Sequence, residues 1–373
     1  IIGGPEYSTL SNDAFPSYEF DFMLSNPPYG KSWKSDLERM GGKDGVKDLR
    51  FLIDHAGDPE YSLLTRSSDG QLLFLANMVS KMKHKTALGS RIAEVHNGSS
   101  LFTGDAGQGE SNIRRYIIEN DWLEAIVALP LNMFYNTGIA TYIWVISNRK
   151  PEHRRGKIQM INATQWFTPL RKNLGKKNCE LSDADIQRIC DTFLAFKETE
   201  QSKIFQNAAF GYWKVIVERP LRLVCSDPGR IYSSKELKEL KETSERSEDA
   251  PPILKKIHKR GTQPDPIHGL FETRIDGKVC VVEYEPDTDL RDSEQIPLLE
   301  EGGIDAFIQR EVLPYAHDGW YDPDSVKIGY EISFTRYFYK PQLMRTLEEI
   351  RADILALERE TDGLLDEILG RSE

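Results

Sequence analysis

The run Asn26-Pro27-Pro28-Tyr29-Gly30 gathers groups able to work on an amino nitrogen. The Asn26 amide oxygen and the Pro27 carbonyl can each accept an N–H, and the Tyr29 ring gives a flat molecule something to stack on. Proline fixes its backbone and has no N–H, so the carbonyls of Asn26 and Pro27 are held in place without a neighbouring donor. Drawing both protons of an amino group toward these acceptors turns the nitrogen lone pair outward, toward an electrophile. The chemistry that fits is alkylation of an exocyclic or amide nitrogen. A plainer reading of the same residues is a Pro-Pro turn that closes a strand, with Asn26 as a cap and Tyr29 as packing.

The elements around the run must position it. Residues 20–25 form a short apolar stretch that reads as a buried parallel strand, and two consecutive prolines must stop it. A site at the carboxyl end of such a strand is where open α/β sheets bind their ligands. The polar stretch that follows, with Gly41, Gly42, Gly45 and Gly57, reads as a mobile loop over the site. Asp69-Gly70-Gln71 then opens an amphipathic helix over 72–83, with Asp69 as its N-cap. Residues 91–96 are the next strand, 111–120 a short helix, 123–129 a third strand stopped by Pro130, and 141–147 a fourth. The alternation predicts an α/β fold, the C-terminal half of a doubly wound Rossmann-like sheet.

No glycine-rich strand-to-helix turn precedes residue 20, and Gly3-Gly4 has no strand before it. The first half of the sheet, with its nucleotide seat, is therefore expected outside this chain. The opening Ile1-Ile2-Gly3-Gly4, without a methionine, reads as a fragment or processed chain. The same four residues resemble the mature amino terminus of trypsin-like proteases, but Ala106 stands where a nucleophilic serine would be needed.

Composition bounds the rest. The chain has 373 residues, 39% hydrophobic and 29% charged, which suits a soluble globular protein of two or three domains. The longest apolar run, 139–146, suits a strand and is too short for a membrane span. Cys179, Cys190, Cys225 and Cys280 lack metal-ligand spacing and read as reduced, buried thiols of a cytoplasmic protein; no metal is expected. The net charge of −11 argues against a nucleic-acid partner until it is mapped. Residues 149–177 carry nine Arg or Lys against one acid, a local +8, whereas 282–325 carry thirteen acids against two arginines. Segregated charge leaves room for a phosphate-binding surface, with Arg149, Lys150, Arg154, Arg155, Arg171 and Lys172 as its candidates. A solvated loop is the competing reading of that stretch.

Toward the carboxyl end, Leu181-Ser182-Asp183 caps a helix running through Phe196, and 212–217 reads as a strand. Residues 234–262 read as an exposed helix and charged linker, and 330–339 as extended and aromatic. Leu343, Leu347, Ile350, Ile354, Leu357, Thr361, Leu364 and Ile368 then recur at alternating spacings of 4 and 3, a heptad seam suited to pairing with a partner's helix. The expected organisation is a partial catalytic domain over 1–165, an α+β extension over 166–340, and a coiled-coil-like helix over 341–370.

Several blocks in order resemble the modification (methyltransferase) subunit of type I restriction–modification systems. They are Asn26 to Tyr29, the segments beginning at Gly70 and Gly89, Arg114-Arg115 with 123–130, 134–139, and 331–339 followed by the heptad helix. The resemblance implies an S-adenosylmethionine-dependent enzyme that methylates adenine N6 in double-stranded DNA. Asn26, Pro27, Pro28 and Tyr29 would hold a flipped-out adenine, since a stacked base cannot be reached in line. Phe134 would offer a second aromatic wall, and Asp69 would lie near the methionine end of the cofactor. A specificity subunit would dock through the terminal helix and read the DNA sequence, and a restriction subunit would join the full complex. The family's glycine-rich cofactor motif has no counterpart here, so the main seat for S-adenosylmethionine is expected outside these residues and the isolated chain is expected to bind it weakly. Two other functions remain in view: an assembly module without activity, and a glutamine-N5 protein methyltransferase using the same tetrapeptide.

Overall fold

The computed structural model describes residues 7–42, 44–135, 137–339 and 346–357. Its central feature is a six-stranded mixed sheet. In spatial order the strands are Phe22–Ser25, Arg91–Asn97, Thr141–Ser147, Leu123–Ala128, Lys157–Asn162 and Ser202–Gln206. The first two run parallel, with Ser25 opposite Glu94. Thr141–Ser147 inserts antiparallel between Arg91–Asn97 and Leu123–Ala128. Lys157–Asn162 then runs parallel to Leu123–Ala128, and Ser202–Gln206 closes the far side antiparallel. A mixed α/β architecture was legible from the sequence; a sheet continuing through 157–162 and 202–206 was not.

The register gives the sheet two distinct ends. Ser25, Asn97, Thr141, Ala128 and Asn162 share one end; Phe22, Arg91, Ser147 and Lys157 share the other. Leu123–Ala128 is buried at every residue, as a strand covered on both faces should be. Trp144 and Ile146 fill the neighbouring strand at full burial. The strand before the candidate motif departs from expectation. It lies at the sheet edge, and its alternate residues Phe22 and Leu24 are 69% and 84% exposed. Phe22 and Leu24 point to the same face of the sheet, and that face is left uncovered beside them.

Local boundaries also shift. The helix after the motif is Gln71–Val79, with Gly70 at its N-cap, and Asp69, one residue earlier, accepts from the Gln71 N–H. The polar stretch that read as a loop holds a helix, Lys34–Arg39, and a hairpin of Leu52–His55 with Asp58–Ser62. The helix Asp183–Ala195 starts, as its sequence indicated, at Ser182, which forms a capping box with Asp185. Of the four cysteines only Cys179 is buried; Cys190 and Cys225 are exposed, which corrects the expectation of buried thiols.

Beyond the main sheet, Gly211–Glu218 pairs antiparallel with Asp292–Pro297, Trp320–Tyr321 and Lys327–Tyr330. Leu254–Ile257, Lys278–Tyr284 and Phe271–Ile275 form a three-stranded sheet, so the tail of the segment read as a linker is a strand. After Tyr330 the aromatic segment turns into a short helix, Phe334–Phe338, rather than staying extended. Arg114 ties this region to the helix and loops that flank the main sheet. Wholly buried on the helix Gly109–Glu119, it donates to the Tyr330 carbonyl at 2.5 Å and to the carbonyls of Ser100 and Gly104. Burial lowers its pKa to about 10, which still leaves it charged at neutral pH.

The chain divides into two compact units, Ile1–Phe334 and Thr335–Glu373. In the second, residues 347–357 are helical, and Thr346 and Glu349 exchange backbone and side-chain hydrogen bonds at its start. Leu347, Ile350, Ile354 and Leu357 of the heptad seam are exposed on it. Leu343, Thr361, Leu364 and Ile368 lie outside the described residues.

Candidate active site

The motif leaves the edge strand at the end of the sheet shared by Asn97 and Asn162. Pro27 is buried, whereas Asn26, Pro28 and Gly30 are exposed and Tyr29 is half-buried. The Tyr29 hydroxyl donates to Asn26 Oδ1 at 2.5 Å. Burial raises the pKa of that hydroxyl, so it stays protonated and able to donate. Gly30 adopts a left-handed φ of +61°, with nothing within 4 Å of where a Cβ would stand. Glycine is needed for the turn here, not for close packing.

The residues after the motif are fastened to segment 66–70. Trp33 N–H donates to the Ser67 carbonyl at 3.0 Å, and the Trp33 indole to the Arg66 carbonyl at 2.9 Å. The Ser32 hydroxyl donates to the Ser67 carbonyl as well. A side chain at Gly70 would meet the Trp33 ring at 3.1 Å, so a small residue lets the indole lie flat over the helix start.

Asp69 is buried just behind this contact. Its Oδ1 accepts from Gly30 N–H and Gln71 N–H, both at 3.2 Å, and its Oδ2 from Gln71 Nε2 at 2.8 Å. Gln71 Nε2 reaches Asn97 Oδ1 and Ser99 Oγ too, and Gln71 Oε1 accepts from Asn97 N–H. His96 and Glu94, both fully buried, continue the line: His96 Nδ1 stands 3.3 Å from Gln71 Oε1, and Nε2 stands 2.9 Å from Glu94 Oε2. Sequence reasoning singled out Asp69 but missed Gln71, His96 and Glu94. The alternation of the 91–97 strand puts Glu94 and His96 on one face, and that pattern was the available signal. Three N–H groups stand on the Asp69 carboxylate oxygens, two on Oδ1 and one on Oδ2.

Phe134 is not brought to the motif. It sits in the loop between Leu123–Ala128 and Thr141–Ser147 and packs on Val127, Leu129, Ile161 and Trp166. Thr141–Ser147 lies two strand spacings from the motif's own strand and Leu123–Ala128 three, roughly 10 Å and 14 Å at about 4.8 Å each.

The basic stretch is split between the two ends of the sheet. Arg149, Lys150, Arg154 and Arg155 follow Ser147 or precede Lys157, at the end away from the motif. Lys150 is buried and donates to Asp121 at 2.7 Å; burial lowers its pKa. Arg154 is buried beside Glu124 and Gln159, and its guanidinium lies over Phe193 and Phe196. Neither offers a free face to a phosphate. Arg171 and Lys172 stand elsewhere, on an exposed hairpin of Thr168–Leu174 with Lys177–Glu180, at the motif's end of the sheet. Asn178 N–H donates to the Asn132 carbonyl, and Lys177 lies over the exposed Tyr135 ring, which joins hairpin and Phe134 loop. A separate cleft of about 560 Å³ is lined by Trp33, Leu37, Arg66, Gln108 and Glu110, among others; the motif's four residues do not line it.

A family model described as N-6 DNA Methylase matches residues 5–211, more than half of the chain. Curated relatives include the type I restriction enzyme MjaIX methylase subunit of Methanocaldococcus jannaschii, 26% identical over 60% of this chain and 37% of its own. The MjaVII methylase subunit of the same organism is 32% identical over 52% of this chain and 30% of its own. The MpnII methylase subunit of Mycoplasma pneumoniae is 28% identical over 48% and 28%. The matched region thus spans little more than a third, or less, of the length of these relatives. Among solved structures, a type I restriction-modification methyltransferase subunit from Streptococcus thermophilus superposes with a TM-score of 0.42 at 22% identity, over 54% of this chain and 38% of the other.

Proposed function

Because this chain belongs to the N-6 DNA methylase family, and its curated relatives are methylase subunits of type I restriction enzymes, we propose that it carries the base-holding half of an adenine-N6 DNA methyltransferase site. The observation that carries the reading is the pairing of Asn26 and Tyr29 at the carboxyl end of a parallel strand, with Pro27 and Pro28 rigid between them.

In this reading the target adenine leaves the duplex and stacks on Tyr29. Its amino group donates to Asn26 Oδ1 and to the Pro27 carbonyl. Both amino protons are then engaged and the nitrogen lone pair faces away from the protein. The methyl group would come from S-adenosylmethionine. The exposed hairpin with Arg171 and Lys172, at the same end of the sheet, is the surface proposed for the DNA backbone; Arg149 and Arg155, at the opposite end, are not part of it.

The proposed partners are double-stranded DNA, a specificity subunit docked on the terminal helix, and a restriction subunit in the larger assembly. The exposed Leu347, Ile350, Ile354 and Leu357 support a helix that pairs with another. Among the described residues no helix is long and apolar enough to cross a membrane. A cytoplasmic site of action is part of the proposal.

The test is methyl incorporation into duplex DNA by the complete methylase, with the product nucleoside identified chromatographically. N6-methyladenine made by the wild type and lost in Asn26→Ala supports the reading. A methylated glutamine side chain in a protein, with DNA unmodified, would instead favour a glutamine-N5 enzyme.

A further inference from the structure

The candidate site stands on an edge strand of its sheet: Phe22–Ser25 has one sheet neighbour among the described residues, and the residues that follow it are mostly exposed. Pro27 and Pro28 stiffen the loop before Tyr29. Something must hold it after Tyr29, or the ring and the Asn26 oxygen would not keep one geometry.

We infer that Asp69, backed through Gln71 by the buried His96–Glu94 pair, is the positioning group that fixes the Asn26–Tyr29 site. This inference rests on the methyltransferase reading given above. The Gly30 N–H, one residue past the ring, donates to Asp69 Oδ1, and no other acceptor for it is shown among the described residues. A bond to a carboxylate is charge-assisted and stronger than a neutral one. The orientation of Gln71 is set by its surroundings. Its Nε2 faces three acceptors, Asp69 Oδ2, Asn97 Oδ1 and Ser99 Oγ, and its Oε1 faces the Asn97 N–H. His96 Nδ1 must then be the donor toward Gln71 Oε1, which leaves Nε2 sharing a proton with Glu94. The donors from His96 to Gln71 to Asp69 thus all point toward the carboxylate that holds Gly30.

Two buried acids and a histidine are an expensive way to fill space, since apolar residues of equal size are often as stable or more so. The line also joins the loop to the interior strand Arg91–Asn97, which is paired on both sides. The loop's geometry is thereby referred to the rigid sheet and not to its own edge strand. Asp69 and its partners touch no substrate in this account; they act through the Gly30 peptide.

Steady-state kinetics of the complete methylase test this with Asp69→Asn and Gln71→Met, each checked for an unchanged melting midpoint. Positioning predicts kcat lower by about 10²-fold, the scale of a small misplacement of reacting groups, with KM for DNA and for S-adenosylmethionine each within about threefold. A folded variant that keeps wild-type kcat, while Asn26→Ala abolishes turnover, overturns the inference and leaves the methyltransferase reading intact. Wild-type turnover by Asn26→Ala would overturn that reading itself. A loss confined to KM for S-adenosylmethionine would also overturn the inference, placing Asp69 on the cofactor. Amide exchange of the unmutated chain needs no variant to fold: the exposed Gly30 N–H is expected to exchange at least about tenfold slower than its intrinsic rate, and exchange at the intrinsic rate contradicts its bond to Asp69.

Discussion

The Tyr29 hydroxyl donates to Asn26 Oδ1 at 2.5 Å, so one of the two lone pairs of that oxygen is taken from within the site and the other is left for an incoming amino group. A bound base shares Oδ1 with the Tyr29 hydroxyl or takes its place, and the ring offers its face in either case.

Replacing Tyr29 by Phe keeps the stacking surface and frees Asn26. Tyr29→Phe is expected to hold a fluorescent adenine analogue in target DNA at least as tightly as the wild type. Tyr29→Ala should weaken the same complex by about 1–3 kcal/mol, the scale of one base–aromatic stack. Fluorescence titration separates the two, and a Tyr29→Phe variant as weak as Tyr29→Ala would show that the hydroxyl is itself a base contact.

The two groups of cations should answer differently to mutation. Removing Arg171 and Lys172 together is expected to lower the slope of log affinity for DNA against log salt by about 2, near 0.9 for each phosphate left without its cation, with folding unchanged. Arg154→Ala should leave that slope alone and destabilise the chain by about 1–3 kcal/mol for each partner left without its donor, since Glu124 keeps Arg91 while the Gln159 side chain and the Phe193 carbonyl lose Arg154. Salt titrations and denaturant melts report these separately.

Arg114 makes a structural prediction free of the site. Arg114→Leu removes three hydrogen bonds, two of them buried, that join the helix Gly109–Glu119 to Tyr330, Ser100 and Gly104. At about 1–3 kcal/mol for each buried carbonyl left unpaired, the loss is a large share of a typical domain's stability. The melting midpoint should fall by many degrees, and a midpoint near wild type would contradict the bonding described.

His268 gives the pH dependence a sign. Burial pushes its pKa down, but the hydrogen bond and charge of Asp265, with Asp305 beyond, outweigh that and raise it above the ordinary value. A raised folded-state pKa means stability contributed by the protonated ring is fully present below about 6.5 and is lost as pH rises through the folded value. Melts from about pH 5.5 to about 8.5 should show this loss in the wild type and not in His268→Gln. Identical pH profiles would exclude it.

What the sequence revealed divides along physical lines. The end of the strand at Pro27 was legible because proline acts locally, and the capping box at Ser182 for the same reason. The exposure of Phe22 and Leu24 was not legible in the strand itself, since an apolar run reads the same at a sheet's edge as at its centre. The basic stretch misled as a single surface because charge along a chain says nothing about which end of a strand it leaves from: Lys150 and Arg154 turned inward to Asp121 and Glu124, and only the later pair reached the motif's end. The 330–339 segment, rich in aromatic residues, read as extended and becomes helical from Phe334, once the chain has left its pairing with Gly211 at Tyr330. The Gln71–His96–Glu94 line needed two distant segments to meet, which no local pattern announces.

The central claim is that Asn26 and Tyr29 hold the amino group of an adenine. The most direct measurement is single-turnover methyl transfer to duplex DNA by the complete methylase with Asn26→Ala, checked for an unchanged melting midpoint. The account predicts a rate at least about 10²-fold below wild type, the usual scale for removing one preorganised contact at a reacting group. A wild-type rate with N6-methyladenine as product would contradict it.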